Sequence, residues 1–148
     1  MNESLQELAK QLRLDDGDRE NLRYAFGYAC AARVGHLLEE PRAVDCLDVL
    51  RRYVSGEADV SHRTDAAAEA ATLANGHPGS SSIDGAAHAA VSATFSLAKA
   101  LAGQPVEAAS YAAYATVYAS GASNVTDPGA FEPEFAWQRT ELQRLATG

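Results

Sequence analysis

Residues 82–120 have the sequence SIDGAAHAAVSATFSLAKALAGQPVEAASYAAYATVYAS and carry the strongest indication of the fold. One stripe of apolar residues recurs every three or four positions, at Ala87, Val91, Phe95, Ala98 and Leu101. This is the spacing of one helical face, and because the other faces carry mostly small residues, the helix is expected to be buried on more than one side. Gly103 is expected to end it, and Pro105 suits the first position of the next helix. The stretch therefore predicts a closely packed central hairpin of helices at about 82–102 and 105–120.

The rest of the chain has the pattern of further helices. Alanine supplies 31 of the 148 residues, and it favours helix because it loses no side-chain entropy on folding. Apolar stripes at helical spacing consist of Leu22, Phe26, Cys30, Val34 and Leu37 in one segment and of Val44, Leu47, Leu50 and Val54 in the next. Pro41 suits the start of the second segment, and Ser4 and Ser61 are expected to cap the first and fourth helices. We predict an all-α fold in which 1–148 form a single domain, a bundle of about six or seven helices closed by a helix at about 133–145.

The charge of the chain limits its expected partners. Its formal net charge is -8 at pH 7, and Lys10 and Lys99 are its only lysines, so no basic stripe is present to neutralise nucleic-acid phosphates. No run of eighteen apolar residues and no leader pattern occurs, which predicts a chain that does not enter a membrane. Cys30 and Cys46 lack the spacing of a metal or redox pair and are expected to be reduced core thiols. We therefore expect a cytoplasmic protein that binds neither nucleic acid nor membrane.

No catalytic motif stands out, and we expect neither enzymatic activity nor a cofactor. The chain lacks a glycine-rich phosphate loop, a nucleophile elbow, a Cys-x-x-Cys pair and a His-Glu-x-x-His pair. His88 lies within the small-residue helix with Asp84 four positions earlier, and we interpret the two as a hydrogen-bonded structural pair in a polar part of the core. His62, Asp65 and Glu69 share a helical face that could present metal ligands, although the Glu-x-x-His pairs of di-iron bundles are absent.

The middle of the chain is its most acidic part and contains the candidate partner-binding residues. The carboxylates of this stretch include Asp45, Asp48, Asp59, Asp65 and Glu69. We take them, with the nearby Tyr53, as candidates because an acidic patch attracts a basic region of another protein. Tyr111, Tyr114 and Tyr118 lie along one side of a helix, a pattern that suits either an interface or the rim of a core.

Four segments carry a resemblance to a known family. They are YACAARV at 28–34 with LLEE at 37–40, the segment 46–56 with RRYVSGE at 51–57, GAAHAA at 85–90, and FAWQR at 135–139 with Leu142 and Leu145. Over about 21–145 the chain resembles the small, alanine-rich, all-helical immunity proteins encoded beside bacterial polymorphic toxins. It departs from their pattern at 80–82 and 24–27. The resemblance implies a protein that binds and occludes a toxin made by the same cell, without a cofactor and without turnover.

The leading hypothesis is therefore a binding protein that neutralises a cognate bacterial toxin by occlusion. The first alternative is a small-molecule-binding helical regulatory domain, which would contain a roomy apolar cavity. The second is a metal-dependent helical-bundle enzyme, which would need ligands that converge from several helices. Self-association of the chain is left open.

Overall fold

The computed structural model describes residues 2–77 and 86–148. The α-helices of these ranges are Glu3–Gln11 (α1), Glu20–Arg33 (α2), Pro41–Val54 (α3), Val60–Asn75 (α4), Ala86–Leu101 (α5), Pro105–Ser120 (α6) and Glu132–Thr147 (α7). Short 3₁₀ helices span Gly17–Arg19, Gly35–Leu37, Ala122–Thr126 and Pro128–Phe131. No strand occurs in the described ranges, and the predicted all-α bundle is confirmed.

The predicted central hairpin consists of α5 and α6, which pack against each other more extensively than any other pair of described elements. The two helices carry nine alanines that are at most 1% exposed: Ala89, Ala90, Ala93, Ala100, Ala108, Ala109, Ala112, Ala113 and Ala115. The Ser96 hydroxyl donates a hydrogen bond of 2.8 Å across the hairpin to the Ala108 carbonyl. Small side chains let two helix axes approach closely, so the alanine-rich stretch forms the centre of the bundle. The predicted residues 82–85 of the first helix lie outside the described residues.

The turn between α5 and α6 requires a glycine. Gly103 has a φ of +75°, and an added Cβ there would lie 2.9 Å from the Tyr24 hydroxyl oxygen. The Gln104 amide donates to the Lys99 carbonyl at 2.9 Å and so closes the end of α5. The turn is thus held by its own backbone and by its contact with α2.

The predicted apolar stripe from Leu22 to Leu37 faces the core: Phe26, Cys30 and Val34 are buried, and Leu22 and Leu37 are partly buried. Helix α2 ends at Arg33, before Leu37, the last residue of the stripe, and a 3₁₀ turn at Gly35–Leu37 continues the chain. Gly27 faces α5, where an added Cβ would lie 3.2 Å from the Ala100 Cα. The absent side chain lets α2 approach the central hairpin closely.

The predicted buried face of α3 is wrong in part. Val44 and Val54 are 48% and 38% exposed, whereas Ala43, Cys46 and Leu50 are buried. The buried face of α3 includes the small residues Ala43 and Cys46 because α3 lies close to α4 and α2. Val44 and Val54 lie outside that face. Cys46 and Cys30 belong to separate core clusters, and both are free thiols.

Two predicted helix caps are also wrong. Asn2 caps α1 by accepting a hydrogen bond from the Leu5 amide at 3.1 Å, and Ser4 lies inside the helix. Asp59 caps α4 by accepting from the His62 amide at 2.9 Å, and Ser61 lies inside that helix. In both cases an Asn or Asp side chain just upstream reaches the amide three residues on.

A buried polar network joins both ends of the chain to the central hairpin. The Gln138 amide nitrogen donates to the Ala109 carbonyl at 2.8 Å, and the Asn2 amide donates to Gln138 Oε1 at 3.2 Å. Gln138 is fully buried. The network fixes α1 and α7 against α6, which leaves α3 and α4 as the opposite part of the bundle in contact with α2 and α5. None of the described helices is long and apolar enough to cross a membrane.

Candidate functional site

Three of the five acidic residues predicted to bind a partner line a shallow groove between α3 and α4. The groove has a volume of about 420 Å³ and is lined by Arg42, Asp45, Cys46, Val49, His62, Asp65, Ala66 and Glu69. We call it the α3–α4 groove. Its lining residues recur three or four positions apart on each helix, so each helix contributes one face.

The floor of the groove is apolar and its walls are charged. Cys46 and Ala66 form the buried floor, at 4% and 7% exposure. Asp45 on α3 and Asp65 on α4 are exposed on the walls. Among the described residues, neither carboxylate has an ion pair or a side-chain hydrogen bond. The groove therefore presents two carboxylates whose charge is not neutralised within the described part of the chain.

Glu69, the third predicted carboxylate in the groove, is partnered. It forms an ion pair with Arg42, whose Nη1 lies 3.1 Å from Glu69 Oε1 and whose Nε lies 3.7 Å from Glu40. Arg42 is exposed, and an exposed ion pair of this kind contributes at most about 1 kcal/mol. Arg42 can therefore leave Glu69 at little cost when another cation enters the groove.

Asp48 and Asp59 have roles within the chain and lie outside the groove lining. Asp48 accepts hydrogen bonds from Arg51 at 3.0 Å and from Arg52 at 2.9 Å, and these bonds lower the pKa of its carboxyl. Asp59 accepts from the His62 amide and lies 2.7 Å from His62 Nδ1, and these contacts lower its pKa. The structure thus brings Asp45, Asp65 and Glu69 together and leaves Asp48 and Asp59 apart.

Tyr53 packs inward. Its ring meets Tyr24 edge to face, with centroids 5.1 Å apart, and the Arg63 guanidinium lies over both rings. Arg63 Nη1 donates to the Leu101 carbonyl at 3.1 Å, so this cluster links α4 to α2, α3 and the end of α5.

Sequence reasoning missed Arg63, although a signal was present. Arg63 extends the buried stripe of Ala66, Ala70 and Ala74 by one turn toward the start of α4. A cation on an apolar stripe is a sign of a stacked or hydrogen-bonded guanidinium.

The Cys46 thiol in the floor of the groove is not poised for chemistry. Burial raises its pKa to about 11, and Glu69 and Asp45 raise it in the same direction. The thiol is therefore protonated at neutral pH, and a thiol is a poor nucleophile in that form. The groove is suited to holding a cation by charge rather than to covalent chemistry.

Of the predicted pair His88 and Asp84, the structure describes only His88. His88 is half-buried, and its ring stacks on Tyr118 with centroids 4.9 Å apart. Asp84 lies outside the described residues. No group of three His, Cys, Asp or Glu side chains within 2–77 and 86–148 is arranged to hold a metal ion, and this includes His62, Asp65 and Glu69.

A larger cleft than the α3–α4 groove lies elsewhere. It has a volume of about 610 Å³ and opens at the surface beside α1 and the turn between α5 and α6. Charged side chains of both signs line it, among them Lys10, Arg13, Asp15 and Glu107. It differs from the apolar interior cavity that a small-molecule-binding regulatory domain was expected to contain.

Comparison of the chain with protein-family models, with curated proteins and with solved structures gives no match. The resemblance to immunity proteins therefore stays a prediction from the sequence.

Proposed function

We propose that this protein binds a basic protein partner through the α3–α4 groove and acts as an immunity-type inhibitor that occludes a bacterial toxin. The observation that supports the proposal most is the pair of unneutralised carboxylates, Asp45 and Asp65, above an apolar floor. A Lys or Arg side chain has an apolar stem and a cationic head. Its stem would cover Cys46 and Ala66 while its head lay between the two carboxylates.

The surroundings of the groove favour a cationic partner. Residues 39–77 hold eight Asp and Glu residues against four Arg residues, which is half of the net charge of the chain. Such a field speeds the encounter with a basic surface and disfavours an acidic one. Displacement of Arg42 from Glu69 would free a third carboxylate, so the groove could receive more than one basic side chain.

The proposal that the partner is a toxin rests on the sequence resemblance to immunity proteins. That resemblance also implies that the toxin is inhibited by occlusion. A protein that occludes an active site needs a rigid surface and no turnover. The tightly packed alanine hairpin and the buried Gln138 network give the bundle that rigidity. The basic side chains that enter the α3–α4 groove would belong to the region of the toxin that handles its own substrate.

Capture from host cells tests the proposal. Three tagged baits are compared: the wild-type chain, the groove variant Asp45→Asn/Asp65→Asn, and the control Glu3→Gln/Glu7→Gln. The control removes the same two charges from exposed positions on α1, which packs against α6 and α7. We expect the wild type and the control to retain one stoichiometric basic protein at moderate salt and the groove variant to lose most of it.

The captured protein is then expressed with and without this chain. We expect it to arrest growth alone and to be harmless beside the wild-type chain. A partner that binds all three baits equally would contradict the role of the groove. A partner that arrests no growth would contradict the immunity function but leave the groove as a binding site.

A further inference from the structure

A second surface lies on the other side of the bundle, around Tyr114. Of the three tyrosines along α6, Tyr111 stacks on Phe95 with centroids 5.1 Å apart, and Tyr118 stacks on His88. Tyr114 is the exposed one, at 39%. The sequence left open whether these tyrosines form an interface or the rim of the core. In the structure, Tyr111 and Tyr118 pack at the rim of the core, and the Tyr114 ring is exposed to solvent.

Two grooves flank Tyr114 and meet at its ring. The first, of about 280 Å³, lies between α1 and α6 and includes Leu5 and Val106. The second, of about 330 Å³, lies between α6 and the start of α7 and includes Val125 and Phe135. Tyr114 and Ser110 line both grooves. We call the two grooves and the ring between them the Tyr114 surface.

Aromatic packing holds this surface in place. Tyr114 meets Phe131 edge to face with centroids 5.2 Å apart, and Phe131 contacts Phe135 at 5.6 Å. Phe131 is buried. A ring that is already fixed loses little freedom on binding, which is why aromatic residues dominate the binding energy of many interfaces.

Each groove carries one carboxylate. Glu107 lines the first groove and Glu132 lines the second, and both are exposed. Neither has an ion pair among the described residues. Basic groups of a partner would find complementary charge in each groove, whereas acidic groups would be repelled.

We propose that the Tyr114 surface binds a basic amphipathic segment of another protein, which places apolar side chains in the two grooves on either side of the Tyr114 ring and Lys or Arg side chains against Glu107 and Glu132. This surface shares no lining residue with the α3–α4 groove. The inference does not depend on the immunity function, because it concerns a second and separate interaction.

Selection from a phage-displayed library of random peptides tests the proposal. Peptides are enriched on the wild-type protein after removal of those that bind Tyr114→Ala. We expect enriched peptides to combine two apolar residues with Lys or Arg and to bind Tyr114→Ala at least about tenfold more weakly. We expect Glu107→Gln/Glu132→Gln to weaken them about three- to tenfold and to flatten the dependence on salt.

The groove variant Asp45→Asn/Asp65→Asn serves as the matched control, and we expect it to bind the same peptides as the wild type does. Far-UV circular dichroism checks the fold of Tyr114→Ala; if that variant does not fold, the selection is made without the subtraction and Glu107→Gln/Glu132→Gln decides. The proposal is overturned by a selection without enrichment, by enriched peptides that lack basic residues, or by peptides that the Glu107 and Glu132 substitutions leave unaffected.

Discussion

Replacing Arg13 with glycine should stabilise the protein, because Arg13 occupies a position that suits glycine better. Three helices end with the same pair of backbone hydrogen bonds and a residue of positive φ just beyond the helix: Arg13 after α1, Gly56 after α3 and Gly103 after α5. At the end of α1, the Leu14 amide donates to the Ala9 carbonyl at 3.0 Å, and the Arg13 amide donates to the Lys10 carbonyl at 3.1 Å. This is the Schellman motif, in which glycine is the usual residue.

The size of the effect follows from the backbone. Arg13 has a φ of +54°, and a non-glycine residue in the left-handed region costs about 1–2 kcal/mol. Glycine avoids this cost but adds about 0.5–1 kcal/mol through the greater freedom of the unfolded chain. The Arg13 side chain is exposed and makes no hydrogen bond or ion pair within the described residues. We therefore expect Arg13→Gly to raise the free energy of unfolding by about 0.5–1 kcal/mol, and Tm by about 1–4 °C for a domain of this size.

Urea unfolding followed by circular dichroism measures the change, with two control variants. Arg13→Ala removes the same charge but keeps the strained backbone, so its stability should stay within about 0.5 kcal/mol of the wild type. Gly56→Ala makes the reverse change at a φ of +83°, where no atom lies within 4 Å of the added Cβ, and it should cost about 1 kcal/mol. An Arg13→Gly variant no more stable than Arg13→Ala, or a Gly56→Ala variant as stable as the wild type, would contradict the role of backbone strain at Arg13.

Three further predictions concern the interior. Gln138→Leu should lower the free energy of unfolding by about 1–3 kcal/mol, because the Asn2 amide loses a buried partner. The control Gln143→Leu, on the exposed side of α7, should change it by less than about 0.5 kcal/mol. Equal effects of the two substitutions in urea unfolding would contradict the role of the network. Glu134 is 4% exposed and accepts a hydrogen bond from Arg33 Nε at 2.8 Å. Glu134→Gln should therefore lower the free energy of unfolding by about 1–2 kcal/mol, whereas Glu132→Gln should leave it almost unchanged. A Glu134→Gln variant as stable as the wild type would contradict the contribution of the ion pair. Burial raises the folded-state pKa of Cys46 from its ordinary value of 9.0 to about 11. Unfolded thiols therefore ionise first as the pH rises, and the free energy of unfolding should fall between about pH 9 and pH 11 more steeply in the wild type than in Cys46→Ala; parallel pH profiles would contradict this.

The fold could be predicted where the signals are local. Pro41, Gly103 and Pro105 mark helix ends through their own backbone chemistry, and the observed helices start or stop there. The buried face of α3 could not be read in this way. Which residues are buried depends on how closely two helices approach, and close approach placed Ala43 and Cys46 inside rather than the more hydrophobic valines.

The candidate site could be predicted in part for the same reason. Helical spacing placed Asp65 and Glu69 on one face of α4, and the structure shows that Asp45, also a candidate, faces the same groove from α3. The ion pairs of Asp48 within α3 could have been predicted, since Arg51 and Arg52 follow it at the spacing of helical ion pairs. Contacts between distant parts of the chain leave no local pattern, and the Arg63 hydrogen bond to Leu101 is one of them.

The proposed binding of a basic toxin by Asp45 and Asp65 is tested by calorimetric titration of the captured partner. The three proteins compared are the wild type, Asp45→Asn/Asp65→Asn and the equally charged control Glu3→Gln/Glu7→Gln. We predict a Kd about 10–100 times weaker for the groove variant and a control that matches the wild type within about twofold. The same Kd for all three proteins would contradict the claim.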